Sequence, residues 1–313
     1  MMRRAFLRTA VVGVGLLSAT WISSELALRK AYPIPQSDLS LTVEPSEDLI
    51  PRGRHLATAV AQCQFCHGPD LSGRLIADDP LLGRLWSTNL TKGKGGIGRE
   101  YERNDWVRAL RFGVGRDGHS LILMPSVYLA RMTDEDLAAV IAFLEQVPAV
   151  DREQEAGLRV GPGTRFALMA GLADDLLSAV EVASRRKDRA DRIEDGPSDY
   201  LVDVGNCRIC HHADLRGGLH PLAVPGEPPP SDLRPGGAMA GWRLSDFERA
   251  MRSGNTPDGR QLDREFMPWP AYAALSDDEI ESLWKALTVA ASPGQVAEAS
   301  KTAALPSVSA EEK

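Results

Sequence analysis

Two stretches of apolar residues at helical spacing stand out because each follows the same kind of helix start. Leu137, Val140, Ile141 and Leu144 recur every three to four residues behind Thr133-Asp134-Glu135-Asp136. Ile280, Leu283, Trp284 and Leu287 do so behind Ser276-Asp277-Asp278-Glu279. That period buries one face of a helix, and Ser or Thr followed three residues later by an acidic side chain closes its first turn. Asn104 and Ser245 are candidate caps for two further helices, which carry Trp106 and Phe247. Gly and Pro crowd residues 91–98 and 221–241, which predicts loops, and no convincing alternation of apolar and polar residues predicts a strand. The expected fold class is all-α.

The N-terminus carries a different pattern. Arg3, Arg4 and Arg8 precede Thr9–Ile22, fourteen residues without a charge. This is the layout of an export signal, and alone it falls short of the roughly 20 residues that cross a bilayer. No small-x-small cleavage site follows, because Glu25, Leu26 and Arg29 occupy that region; continuing to Leu28 gives a stretch long enough to span, with one glutamate. Residues 1–31 therefore read as an uncleaved anchor helix, with a removed signal as the alternative. The positive flank stays on the cytoplasmic side, which puts the rest of the chain at the periplasmic or outer face of the inner membrane. Residues 32–47 form a Pro-containing tether.

An internal repeat organises the remainder of the chain. Cys63–Gly73 (CQFCHGPDLSG) matches Cys207–Gly217 (CRICHHADLRG) at an offset of 144. Asp105-Trp106-Val107-Arg108-Ala109 matches Asp246-Phe247-Glu248-Arg249-Ala250 at an offset of 141. Arg111/Arg252, Gly113/Gly254 and Asp117-Gly118/Asp258-Gly259 continue that register; Met124-Pro125 then pairs with Met267-Pro268 at an offset of 143. Two copies of one domain span residues 48–150 and 197–291. Residues 151–196 match neither copy. Leu168, Met169, Leu172, Leu176 and Val180 there read as a helical linker packed on one or both copies, or docking a partner, and the charged run Arg185–Asp195 follows. The Ala-, Ser- and Glu-rich tail 292–313 has no periodicity and reads as disordered.

The chemistry sits in the repeat. Cys63-Gln-Phe-Cys66-His67 and Cys207-Arg-Ile-Cys210-His211 are both C-x-x-C-H, the pattern that attaches a haem through two thioethers and offers the histidine to iron. These four are the only cysteines in 313 residues, so none remains for a disulfide or a nucleophile. The halves of a zinc ribbon sit about 15–20 residues apart; here 140 residues separate Cys66 from Cys207, and zinc gives no reason for the paired histidines. On the opposite haem face a methionine thioether is a familiar ligand. Met124 follows His67 by 57 residues and Met267 follows His211 by 56, each before a proline that fixes the loop. Met132, Met239 and Met251 have no counterpart in the other copy, and Met132 and Met169 read as core filler. Bis-histidine ligation is the alternative, but His55, His119, His212 and His220 do not recur in register.

These motifs resemble those of class I c-type cytochromes. The first copy is particularly similar to the cytochrome c subunits of membrane-bound bacterial alcohol and gluconate dehydrogenases, in the strings CHGPDL (66–71), NLT (89–91), DWVRAL (105–110), GVGxDG (113–118) and MP (124–125). Those subunits commonly carry three haems, whereas motifs for two are present here. The resemblance implies that Thr88 and Asn89 lie near a haem propionate. Trp86, Arg111 and Arg252 are further propionate candidates, with a structural role for the arginines as the alternative. Gly93-x-Gly95-x-x-Gly98 and Gly113-x-Gly115-x-x-Gly118 match a dinucleotide fingerprint but lack its strand–turn–helix context.

A net charge of −7 excludes a nucleic-acid partner and suits docking to a basic patch on a redox protein. The expectation is a chain of two tandem cytochrome c domains with two covalently attached haem c groups, held at the membrane by its N-terminal helix. Cys63, Cys66, Cys207 and Cys210 attach the haems; His67, Met124, His211 and Met267 ligate the irons. With both faces of each iron closed, no catalytic residue and no enzymatic activity are expected. The chain would carry single electrons between a periplasmic or quinone-linked dehydrogenase and a downstream terminal oxidase or soluble cytochrome. The alternative is a dihaem peroxidase-like or thiosulfate-oxidising enzyme with one open iron.

Overall fold

The computed structural model describes residues 21–153, 159–172, 177–181, 200–219, 223, 226 and 228–288. Most of the anchor segment, Leu176, the run 185–195 and the tail 292–313 lie outside them. No helix among the described residues is long and apolar enough to cross a membrane.

Two helices close the repeat copies where the apolar periodicity puts them. A helix at Asp134–Leu144 starts on Thr133, whose hydroxyl accepts the Asp136 N–H at 3.2 Å, and buries Leu137, Val140, Ile141 and Leu144. Its counterpart at Asp277–Thr288 opens on a reciprocal cap: Ser276 Oγ accepts from the Glu279 N–H at 3.2 Å, and Glu279 accepts from the Ser276 N–H at 2.7 Å. In chain order the helices are α1 (21–28), α2 (Ile50–His55), α3 (Cys63–His67), α4 (Arg103–Val107), α5 (Ser126–Leu129), α6 (Asp134–Leu144), α7 (Pro162–Ala170), α8 (Tyr200–Val204), α9 (Cys207–His211), α10 (Leu244–Ser253), α11 (Trp269–Tyr272) and α12 (Asp277–Thr288). Wide π turns at Leu56–Val60 and Arg108–Phe112 prolong α2 and α4.

The caps of α4 and α10 differ from expectation. Asn104 and Ser245 lie inside the helices, and Asp105 and Asp246 instead reach back to the backbone N–H of Glu102 and Arg243, each at 3.0 Å. A carboxylate on the first turn satisfies an otherwise unpaired N–H and complements the helix dipole.

The all-α expectation also needs correction. Leu75–Asp79 (β1) and Gly83–Trp86 (β2) form an antiparallel hairpin, and Arg159–Val160 (β3) pairs with β2. Strands this short carry no readable alternation. The turn makes them: Asp79 Oδ1 accepts the N–H groups of Leu81 and Leu82 at 2.7 and 2.8 Å, and Gly83 takes φ +107°. The chain is thus helix-rich with a small three-stranded sheet.

One apolar core runs through both repeat copies, from Val60, Trp106, Leu137 and Ile141 to Val202, Val204, Phe247 and Ile280. Helix α2 crosses α6 at Gly53, where a Cβ would lie 1.8 Å from the Ala139 carbonyl oxygen. The copies contact one another reciprocally: α11 packs on the π turn before α3, and α5 packs on α8 before α9. Polar ties cross the same seam. Asp136 accepts from the Tyr200 hydroxyl, and His55 Nε2 lies 2.9 Å from Glu279. Helix α7 belongs with the first copy. Thr164 Oγ1 donates to the Leu82 carbonyl at 2.8 Å, and Arg165 binds Ser24 and Glu25 on α1 at 3.0 and 2.7 Å while covering the Trp21 ring. Gly171 ends α7, so the expected stripe is not one helix: Leu168 and Val180 are buried, but Leu172 is exposed.

Candidate haem sites

Each C-x-x-C-H motif forms a single helical turn entered and left through unusual backbone. The residue before the first cysteine is left-handed in both copies, Gln62 at φ +51° and Asn206 at φ +59°. One turn of helix then sets Cys63 and Cys66, and likewise Cys207 and Cys210, three residues apart on the same side. The exit is left-handed again, Gly68 at φ +79° and His212 at φ +64°. Three residues on, Leu71 and Leu215 both sit at φ +59°. A buried leucine there is strained, and identical strain at matched positions marks a loop whose shape the site requires.

The loops are closed by the same hydrogen bonds. Gly73 N–H donates to the His67 carbonyl at 2.7 Å and Gly217 N–H to the His211 carbonyl at 3.0 Å. Leu90 and Leu233 donate to Leu71 and Leu215, each at 2.9 Å. The last bonds bring a backbone carbonyl against each motif histidine: His67 Nδ1 lies 2.8 Å from Thr88 O, and His211 Nδ1 lies 2.7 Å from Ser231 O. A carbonyl only accepts, so Nδ1 carries the proton in both rings and Nε2 presents its lone pair. Burial holds both imidazoles below the usual histidine range, which keeps them neutral. A histidine oriented through one nitrogen by a backbone carbonyl is the standard preparation of a metal ligand at the other.

Burial pushes the thiols of Cys63 and Cys207 up to about 12 and raises Cys66 as well, so these groups are not thiolates. Among the described residues no three His, Cys, Asp or Glu side chains converge on a point where they would hold an ion.

Met124 and Met267 lie half-buried against the same core as Cys63 and Cys207. Their loops are near copies: Leu121 N–H to Gly113 O and Leu262 N–H to Gly254 O are both 2.7 Å. Pro125 (φ −75°, ψ 43°) and Pro268 (φ −76°, ψ 48°) start α5 and α11 alike. Met132, Met239 and Met251 are buried in the core, whereas Met169, expected there, is 41% exposed. Thus each copy places a short motif helix, an oriented imidazole and a methionine loop around one stretch of core.

Other expectations resolve differently. Arg111 donates to Asp134 at 2.7 Å and to the Met132 carbonyl at 3.1 Å; Arg252 matches it with Asp277 at 2.6 Å and the Ala273 carbonyl at 2.8 Å. Both arginines clamp the closing helix to the methionine loop, which is the structural alternative. Asn89 donates to the Val150 carbonyl at 2.9 Å, and the glycines at 93–98 pack on Thr91 and residues 150–153. That close packing leaves no cradle for a phosphate. The buried indole N–H of Trp86 meets no acceptor among the described residues, as suits a donor to a buried anionic group. Thr88 and Ser231 act through backbone carbonyls, which side-chain motifs do not reveal; the shared Asp-Leu-x-Gly that shapes their loops is the only hint.

Paired thiols, an imidazole with its Nε2 prepared, and a thioether on the same core are a donor set that fits haem c. Comparison with known proteins agrees. Residues 48–144 match the family described as cytochrome c oxidase, cbb3-type, subunit III. The chain is 31% identical over 220 residues to a subunit of the nicotinate dehydrogenase of Pseudomonas putida, covering 68% of this chain and 17% of that one. It is 29% identical over 248 residues to the fructose dehydrogenase cytochrome subunit of Gluconobacter japonicus, covering 76% and 48%. It is 36% identical over 179 residues to the cytochrome c subunit of alcohol dehydrogenase (quinone) from Gluconobacter oxydans, covering 54% and 36%. The chain spans less than half the length of each of these relatives. It is a c-type cytochrome that resembles the cytochrome subunits of fructose and alcohol dehydrogenases.

Proposed function

We propose that the chain is a membrane-anchored dihaem cytochrome, two tandem cytochrome c domains that pass single electrons from a dehydrogenase to a downstream acceptor. The observation that carries this reading is the duplicated histidine: His67 and His211 each donate Nδ1–H to a loop carbonyl, which leaves Nε2 as the unprotonated nitrogen at the end of an equivalent turn.

Haem c, bound in each copy, would supply one-electron exchange, at a potential that a methionine ligand would raise. The chain's own residues do the rest. Cys63 with Cys66, and Cys207 with Cys210, hold the groups covalently. Met124 and Met267, on the loops ending at Pro125 and Pro268, would supply the second ligand to each iron beside His67 and His211, and an iron so held would have no position for oxygen, peroxide or substrate. The surrounding apolar core excludes water. The names of the relatives support a dehydrogenase as electron donor. The cationic flank and apolar run before α1 support an anchor in the cytoplasmic membrane with both domains on its outer face.

Closure of both irons is open to test. Carbon monoxide added to the reduced full-length protein is expected to leave its visible spectrum unchanged. Rapid conversion of half the absorbance would instead indicate one open iron and favour an enzyme.

A further inference from the structure

The two motif helices do not merely recur; they meet. The side-chain amide of Asn206, the residue before Cys207, donates Nδ2–H to the Ala61 carbonyl at 2.7 Å, and Ala61 lies two residues before Cys63. Around this bond the copies exchange like for like, α11 against the turn before α3 and α5 against α8 before α9. Buried Ala61, Val60 and Val204 line the junction within one continuous core. Asn206 holds left-handed backbone, φ +59°, at the entry to its motif helix. Its counterpart Gln62 makes no such bond: its buried Nε2 has no partner among the described residues.

We infer that Asn206 is a positioning residue that holds the two redox centres at fixed separation and supplies the shortest bonded route between them. This rests on the dihaem reading above. The route runs from the Cys207 backbone through the Asn206 side chain and one hydrogen bond to Ala61, Gln62 and Cys63. The step it serves is exchange of one electron, in which one iron is oxidised as the other is reduced; no bond breaks and no proton moves. Asparagine suits the task because it tolerates the left-handed conformation while keeping a donor.

The test uses full-length holoprotein. Pulsed electron paramagnetic resonance of the fully oxidised wild type is expected to show magnetic coupling between two ferric centres. Asn206→Gly keeps the left-handed backbone but removes the amide; it should slow electron exchange at half reduction severalfold, read from exchange broadening of haem-methyl resonances. Both midpoint potentials and the haem count should stay as in the wild type. Asn206→Asp, which lacks the donor, should slow the exchange likewise, while its added charge lowers the potentials. His55→Ala removes a different contact between the copies, the one to Glu279, and should leave the rate alone, which separates a specific route from general docking. Uncoupled centres in the wild type, or unchanged exchange in both Asn206 variants, would overturn the inference and leave the dihaem reading standing. A wild-type chain with fewer than two haems would remove that reading first, and the inference with it.

Discussion

Replacing Met267 by alanine is expected to open one of two redox centres and leave the other closed. The Met267-Pro268 loop repeats the Met124-Pro125 loop in backbone angles and hydrogen bonds, although Trp269 follows one proline and Ser126 the other. The shared Met-Pro pair thus stands at the same place in two loops of the same shape. On the proposed ligation, removing the thioether withdraws a ligand that stabilises the reduced iron. The potential of one centre should fall by on the order of 0.1 V, within the ~0.8 V range that axial ligands span. Half of the haem should then bind carbon monoxide, and Met124→Ala should do the same to the other half. Spectroelectrochemistry and carbon monoxide titration read both effects. Met239→Ala is the contrast: a buried methionine truncated to alanine costs roughly 2–5 kcal/mol of stability, with no change in ligand binding. A Met267→Ala protein indistinguishable from wild type in potential and ligand binding would remove Met267 from the iron.

The largest loss of stability is expected from Asp203→Ala. Asp203 is 1% exposed and accepts from Arg131 at 2.7 Å and from Arg208 Nε at 2.6 Å. Arg131 follows the first methionine loop, and Arg208 stands inside the second C-x-x-C-H motif. One carboxylate therefore joins the two copies and steadies the helix Cys207–His211. Without it the guanidinium of Arg208, 3% exposed, keeps its charge in the interior and loses its closest counter-ion. Breaking a buried pair by removing one partner costs about 3–5 kcal/mol, much more than a surface bridge contributes. Urea unfolding of the oxidised holoprotein should show the loss as a lower midpoint at unchanged slope. A change below about 1 kcal/mol, the range of an exposed pair, would mean that Asp203 is not the hub of this seam.

Much of the molecule is legible in its residues because its signals are local. The starts of α6 and α12 follow from a hydroxyl and an acid three residues apart, and their buried faces from spacing alone. The C-x-x-C-H turns are legible for the same reason. The hairpin is not, since β1 and β2 are too short to alternate and depend on Asp79 bonding to the turn. The π turns after α2 and α4 leave no mark on the apolar pattern. Arg111 and Arg252 are ambiguous in sequence because an arginine serves an anionic ligand or a helix end equally well; their partners Asp134 and Asp277 decide it. The junction at Asn206 is invisible for a different reason. It joins positions 145 residues apart, and nothing in either neighbourhood announces the other.

The central claim, two covalently held haems in one chain, is tested most directly by counting them. Full-length protein should be extracted with acidified acetone, which removes haem that is not covalently bound. The retained haem is then measured as its alkaline pyridine complex against protein quantified by amino-acid analysis. Two retained haems per chain are expected, falling to one when Cys207 and Cys210 are both changed to serine. One haem or none retained in the wild-type chain would contradict the account.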